Sequence, residues 1–161
     1  MAHLFVSWAD YHRLVERLAG AIHDSAWRFD HIVCVGRSGL HIGDLMSRLY
    51  RAPLAVLQAR AERAGEIALS ELAMLEPQLG ARVLLVDDLV DSGATLASAT
   101  RKLQSQCAEL RSAALWVRQG AECRPDYYVA EIDADCDVHH PVEQYDLSNI
   151  AEVARRRRSD S

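Results

Sequence analysis

The sequence has no excess of basic residues, no long apolar run and few cysteines. Its 161 residues carry 18 Lys and Arg against 23 Asp and Glu, a formal net charge of −5. A general nucleic-acid binder presents a basic surface, so this balance argues against nucleic acid as a partner. No stretch approaches the roughly 20 apolar residues of a membrane span, so no membrane association is expected. The opening MAHLFVSWADYHRL has neither a basic n-region nor a long apolar core, so no secretory signal is expected. The four cysteines, Cys34, Cys107, Cys123 and Cys136, form no C-x-x-C pair. A cytoplasmic chain with reduced thiols is the expectation. Cys136, His139 and His140 lie close together in the chain, but their spacing matches no standard zinc pattern. Internal repeats, low-complexity segments and interdomain linkers are also missing.

What is present is a globular composition, 50% hydrophobic and 25% charged, long enough for one core. The expectation is a single domain over residues 1–154. The one basic cluster, Arg155 to Arg158, falls in a tail (155–161) expected to be disordered and solvated, with a phosphate or RNA contact as the alternative.

Ser7 and Asp10 make a capping-box variant, and Tyr11, Leu14, Val15, Leu18 and Ile22 follow at helical spacing, so a helix starts here. HIVCV, His31 to Val35, reads as a buried strand. GRSG, Gly36 to Gly39, follows it, then a helix to about Tyr50. LAVL after Pro53 is a second strand. ARAERAG, Ala59 to Gly65, reads as a mobile loop, and IALSEL as a returning strand. A turn near Pro77 and Gly80 leads to a third strand, Val83 to Val86. A helix from about Ala94 to Gln106 and strands at Ala113 to Val117 and Tyr127 to Ile132 complete the pattern. Strands alternating with helices predict a mostly parallel sheet covered on both faces. Ligands of such sheets bind at the carboxyl ends of the strands, where GRSG and DDLVDSGAT both lie.

The central stretch VLLVDDLVDSGAT, Val83 to Thr95, carries the chemistry. A loop at a helix N-terminus presents backbone N–H groups and the positive end of a dipole, which suits phosphate. Gly93 allows close approach of the backbone, and Ser92 and Thr95 add hydroxyl donors. An ordinary capped helix, with Ser92 or Asp91 as N-cap, is the plainer reading of the loop alone. Asp87 and Asp88 shift the balance. Adjacent carboxylates point to opposite sides of an extended chain and repel each other without a partner, and a Mg²⁺ ion or the cis-diol of a ribose would be one. Asp91, on the same loop, is placed for general acid or base work.

VLLVDDLVDSGAT closely resembles the phosphoribosyl pyrophosphate (PRPP) signature of the type I phosphoribosyltransferases: four apolar residues, two acids, a short spacer, then Thr/Ser-Gly-Gly/Ala-Thr. HIVCVGRSGL is similar to that family's first strand and pyrophosphate loop. SWADYHRLVERLA and DYYVAEIDADCDVHHPVE resemble the first helix, final strand and base-covering hood of bacterial xanthine-guanine phosphoribosyltransferase and its small relatives. The resemblance implies an α/β fold with a central, mostly parallel sheet of about five strands flanked by helices, and a small C-terminal hood over about residues 118–150. It implies transfer of a 5-phosphoribosyl group from PRPP to a nucleobase, a 6-oxopurine by preference, with release of pyrophosphate and Mg²⁺ as cofactor. It implies a homodimer or homotetramer. By match, Asp87 and Asp88 hold the ribose hydroxyls or the metal, directly or through water. Asp91, Ser92, Gly93, Ala94 and Thr95 bind the 5-phosphate, and Asp91 handles the proton of the attacking base. Arg37, Ser38 and Gly39 bind pyrophosphate, with a non-proline cis peptide joining Arg37 and Ser38.

Two matched positions depart from the family. Arg118 stands where relatives use a Lys on the purine 6-oxo group, and Asp137 stands where a hood aromatic stacks on the base, with Val138 beside it. Tyr145 or Trp116 would supply a substitute ring, although packing is the plainer role for both. The mobile loop lacks the family's Ser-Tyr pair and offers Arg60, Glu62 and Arg63 instead. These departures leave two alternatives: a PRPP- or nucleotide-sensing regulator without turnover, and an enzyme with a non-purine acceptor.

Overall fold

The computed structural model describes residues 2–62, 66–74, 78–146 and 149–159. Arg63 and Pro77 lie outside them. The strand expected at His31 is β2, His31–Gly36, every residue of which is buried. It pairs in parallel with β3, Leu54–Ala61, on one side and with β5, Arg82–Val90, on the other. β6, Glu109–Arg118, and β7, Tyr127–Ile132, continue the sheet in parallel beyond β5. β4, Ile67–Leu69, adds an antiparallel edge against β3. The order is β4-β3-β2-β5-β6-β7. Five parallel strands, as expected, thus carry one antiparallel neighbour.

Helices cover both faces. Alternation along β2 sends Val33 and Val35 to one side and Cys34 to the other. Val33 and Val35 share a buried cluster with Leu96, Ala99 and Leu103 of α3, Ala94–Gln104. On the opposite side Gly43 of α2, Leu40–Tyr50, fits so closely that a Cβ would stand 2.7 Å from that of Cys34. Burial pushes the Cys34 thiol up to about 11, the behaviour of a packing residue.

Contacts divide the chain into two compact units, Leu14–Ala134 and Met1–Arg13 with Asp135–Ser161. Helix α1, Trp8–Asp24, contributes to both. Its start follows the sequence pattern: Ser7 Oγ accepts from the Asp10 amide at 3.1 Å and donates to the Asp10 carboxylate at 2.5 Å. Its apolar stripe, Tyr11, Leu14, Val15, Leu18 and Ile22, is buried throughout. The smaller unit holds the parallel pair β1, Ala2–Phe5, and β8, Cys136–His139. It also holds a 3₁₀ turn, Glu143–Tyr145, and α4, Ile150–Ser159.

Three expectations need correction. Ala59 to Ala61 belong to β3 rather than to a loop, because β4 returns against them and pairs Ala59 with Leu69. β5 runs four residues past Val86, because β6 extends alongside and pairs Leu89 with Trp116. The tail expected to be disordered is helical through Ser159. A reciprocal cap starts that helix: the Glu152 amide donates to Asn149 Oδ1 at 3.0 Å and the Asn149 amide to the Glu152 carboxylate at 3.4 Å. Among the described residues no helix is long and apolar enough to cross a membrane.

Candidate active site

The chain leaves β2 toward β3 on one side, then returns to place β5 on the other. The gap between the carboxyl ends of β2 and β5 is therefore the topological switch point, where open α/β sheets form a crevice. The two loops singled out in the sequence, Gly36 to Gly39 and Asp91 to Thr95, follow these two strands.

The first loop turns tightly. Gly39 donates to the Val35 carbonyl at 2.8 Å and Leu40 to the Arg37 carbonyl at 3.1 Å. A Cβ on Gly39 would stand 2.6 Å from the Val35 oxygen and 2.9 Å from the Val86 oxygen, so the two strands leave room only for glycine. The cis peptide joins Gly36 and Arg37, one bond earlier than the resemblance implied. β2 extends through Gly36, one residue further than expected, and the turn begins there. Arg37 and Ser38 are exposed at its tip. Arg37 lines a cavity of about 540 Å³ with Gly36, Gln58, Arg60 and Ser70. Arg60 pairs with Glu62 at 3.1 Å at this mouth.

Asp87 and Asp88 lie inside β5, each 6% exposed, and not at its end. Ser38 Oγ donates to Asp87 Oδ1 at 3.0 Å, which ties the first loop to β5. The Asp88 amide donates to the same oxygen at 2.9 Å, and the Leu89 amide to Asp88 Oδ1 at 2.7 Å. Burial raises the Asp87 pKa well above the carboxylate range, and the neighbouring Asp88 raises it further. The Asp88 amide and Ser38 oppose the shift without cancelling it. Two adjacent carboxylates under this strain offer hard oxygen donors of the kind Mg²⁺ prefers, so the residues fit the cofactor the resemblance implied.

This shift has a testable consequence. A carboxyl whose folded pKa is raised binds more protons folded than unfolded, so its contribution to stability falls as pH rises upward from the ordinary carboxylate range. In metal-free protein at neutral pH, Asp87→Asn removes that penalty while keeping an oxygen for Ser38 and Asp88. Thermal denaturation in chelator should find the variant more stable than wild type by about 0.5–2 kcal/mol. The gain should vanish near pH 4, and a variant less stable at pH 7 would refute this balance.

The second loop is a small cup. A cavity of about 70 Å³ is lined by Asp87 and by the chain from Leu89 to Leu96. Gly93 caps α3 with φ of 90° and, as glycine, supplies no side-chain cap. Its glycine is required twice over. The φ disfavours any Cβ, and a Cβ would strike the Cys123 oxygen at 2.5 Å and nitrogen at 2.6 Å. Cys123, on the loop between β6 and β7, thus shapes the cup, a role that no local motif around it announces. Ser92 Oγ accepts from the Ala94 amide at 3.3 Å, and the Glu122 amide donates to the Ser92 carbonyl at 2.9 Å. A dipole end with backbone amides around a cup of this size suits a phosphate.

Asp91 is exposed and does not cap α3. Its carboxylate accepts a short bond from Arg118 Nε at the end of β6. The same guanidinium donates to the Asp133 and Ala134 carbonyls at 3.2 Å each. Arg118, expected beside a base, engages the Asp91 carboxylate. Asp137 and Val138 lie on β8 of the smaller unit, Val138 buried and Asp137 against His3 and His139. Tyr145 is 62% exposed, whereas Trp116 is buried, with no partner for its indole N–H among the described residues.

A parallel α/β sheet with an anion cup and a carboxylate pair at its switch point is an arrangement suited to a phosphorylated ligand. The family is specific: residues 7–148 match the phosphoribosyl transferase domain, and the chain belongs to that family. HGPRTase-like protein 2 of Haloferax volcanii is 31% identical over 75% of this chain and 72% of its own length. A hypoxanthine/guanine phosphoribosyltransferase of Methanopyrus kandleri is 31% identical over 57% of this chain. The chain spans about half the length of that relative, 54%. The xanthine-guanine-hypoxanthine phosphoribosyltransferase of Helicobacter pylori superposes with a TM-score of 0.76, covering 90% of this chain and 97% of its own at 20% identity, which is likeness of fold.

Proposed function

We propose that this chain transfers the 5-phosphoribosyl group of PRPP to a ring nitrogen of a 6-oxopurine and releases pyrophosphate. The observation that carries the reading is the Ser38–Asp87 hydrogen bond, which brings the candidate pyrophosphate loop against the carboxylate pair that leads into the anion cup. The amides of Asp91 to Thr95 receive the 5-phosphate. Arg37 faces the pyrophosphate, with Arg60 at the same cavity. Asp87 and Asp88 hold the ribose hydroxyls or Mg²⁺, and the ion, when bound, neutralises the pyrophosphate as it leaves. Carbon–oxygen cleavage leaves an oxocarbenium-like sugar, and Asp91 takes or steers the proton of the attacking nitrogen. Arg118 fixes the Asp91 rotamer and yields part of its bonding when a base arrives. The purine preference rests on the relatives' names.

A second reading is favoured by one feature. Arg118 engages Asp91, and Asp137 supplies no ring for a base, which is the arrangement of a nucleotide sensor without turnover. One experiment separates the two. The chain is incubated with PRPP, Mg²⁺ and, in turn, hypoxanthine, guanine, xanthine, adenine, uracil and orotate, and pyrophosphate release is followed. The proposal expects release with one or more of the first three. PRPP or nucleotide binding with no release from any base would establish the sensor.

A further inference from the structure

β1 and β8 pair with His3 opposite Asp137 and Phe5 opposite His139. Side chains alternate along a strand, and residues in register share a face. One face of this ribbon therefore carries His3, Phe5, Asp137 and His139, and the other carries Leu4 and the buried Val138. On the first face three donor atoms converge. His3 Nδ1 lies 3.0 Å from His139 Nε2 and 3.7 Å from Asp137 Oδ2. The same carboxylate oxygen lies 3.2 Å from His139 Nε2. The Phe5 ring stacks on His139 at 4.6 Å and 11°, which fixes the imidazole plane.

Two ring nitrogens and one carboxylate oxygen thus stand around a single point, where one cation would be shared by all three. Ligands 2.0–2.2 Å from a tetrahedral Zn²⁺ stand roughly 3.3–3.5 Å from one another. The observed 3.0, 3.2 and 3.7 Å bracket that edge. Two imidazoles and one carboxylate select a first-row transition ion over Mg²⁺ or Ca²⁺, which take oxygen ligands. The His3 and Asp137 side chains are 48% and 51% exposed, so an ion has a path in and a solvent-facing fourth position.

We propose that His3, Asp137 and His139 bind one Zn²⁺ ion, with a water as fourth ligand, and that the ion clamps the N-terminal strand β1 to β8. Cys136 lies close to His139 and His140 in the chain. Strand alternation instead turns Cys136 to the other face, and pairing with β1 brings in His3 from the far end of the chain.

The test is a zinc titration of the full chain, stripped of metal, in competition with a chromogenic zinc chelator. One Zn²⁺ per chain is expected, and equal concentrations of Mg²⁺ should not displace it. Loss of an outer-shell partner alone weakens metal sites roughly 10–100-fold, so His3→Ala and His139→Ala should each weaken binding by about 100-fold or more. His3→Gln should do the same. Cys136→Ser should leave affinity unchanged, and X-ray absorption of the loaded protein should show a nitrogen and oxygen shell with imidazole scattering. Both histidines stand on the ribbon's surface, and circular dichroism of each metal-free variant checks that it is folded. Absence of saturable binding, unchanged affinity in folded histidine variants, or a sulfur shell lost on Cys136→Ser would each overturn the assignment.

Discussion

Asp91→Asn lowers kcat by about 10²- to 10⁴-fold while PRPP still binds, the range ascribed to a positioned general acid or base. Asn keeps the shape and one acceptor oxygen but loses the basicity. The anion cup is built from backbone and from Gly93 against Cys123, neither of which the substitution touches. The loss should therefore appear in kcat and not in PRPP affinity. A capping role would predict near-normal activity, since Asn caps about as well as Asp. The structure already weakens that alternative, because α3 is capped by Gly93 and Asp91 is bound to Arg118. Steady-state kinetics on the best base, with PRPP affinity measured separately, decides the matter. Wild-type kcat would return Asp91 to a structural role, and lost PRPP binding would make its carboxylate part of the cup.

Removal of divalent metal lowers turnover by about 10³-fold. In the proposed transfer the leaving pyrophosphate would carry about three negative charges and depart beside Asp87 and Asp88. Two unit charges 4 Å apart repel by about 4 kcal/mol at an effective dielectric of 20, and that energy in a barrier corresponds to roughly 10³ in rate. Asp87 and Asp88 would hold a Mg²⁺ ion whose charge would offset this repulsion. The measurement is pyrophosphate release in excess chelator, followed by restoration with Mg²⁺ or Mn²⁺ alone. Restoration without Zn²⁺ keeps this effect separate from the clamp at His3, Asp137 and His139. Full activity in excess chelator would remove the metal from the transfer step.

The parts of the fold legible in the sequence are those set by local pattern. His31 to Val35 read as a buried strand because a run of apolar residues ends at glycine, and Ser7 with Asp10 marked α1 because a capping box is four residues long. The anion loop was legible for the same reason: acids, glycine and hydroxyls fall within one short stretch. What depends on distant pairing was not legible. The extension of β5 through Val90 needs β6 beside it, and nothing between Asp87 and Val90 announces that. Arg118 meets Asp91 only because β6 lies next to β5, so a side chain expected at a base reaches a carboxylate 27 positions away. His3 and Asp137 are brought together by a β pair that joins the two ends of the chain. The helix over Arg155 to Arg158 is a different failure. Its Asn149 and Glu152 capping pair was present in the sequence, and the charge run obscured it.

If Asp91 to Thr95 form the seat of a sugar 5-phosphate, a crystal structure with ribose 5-phosphate or a purine nucleoside monophosphate will show it. The phosphate is expected in the cup between Asp87 and Leu96, hydrogen-bonded to the backbone amides from Asp91 to Thr95, with the ribose directed toward Asp87 and Asp88. A well-ordered nucleotide with its 5-phosphate anywhere else on the chain would contradict it.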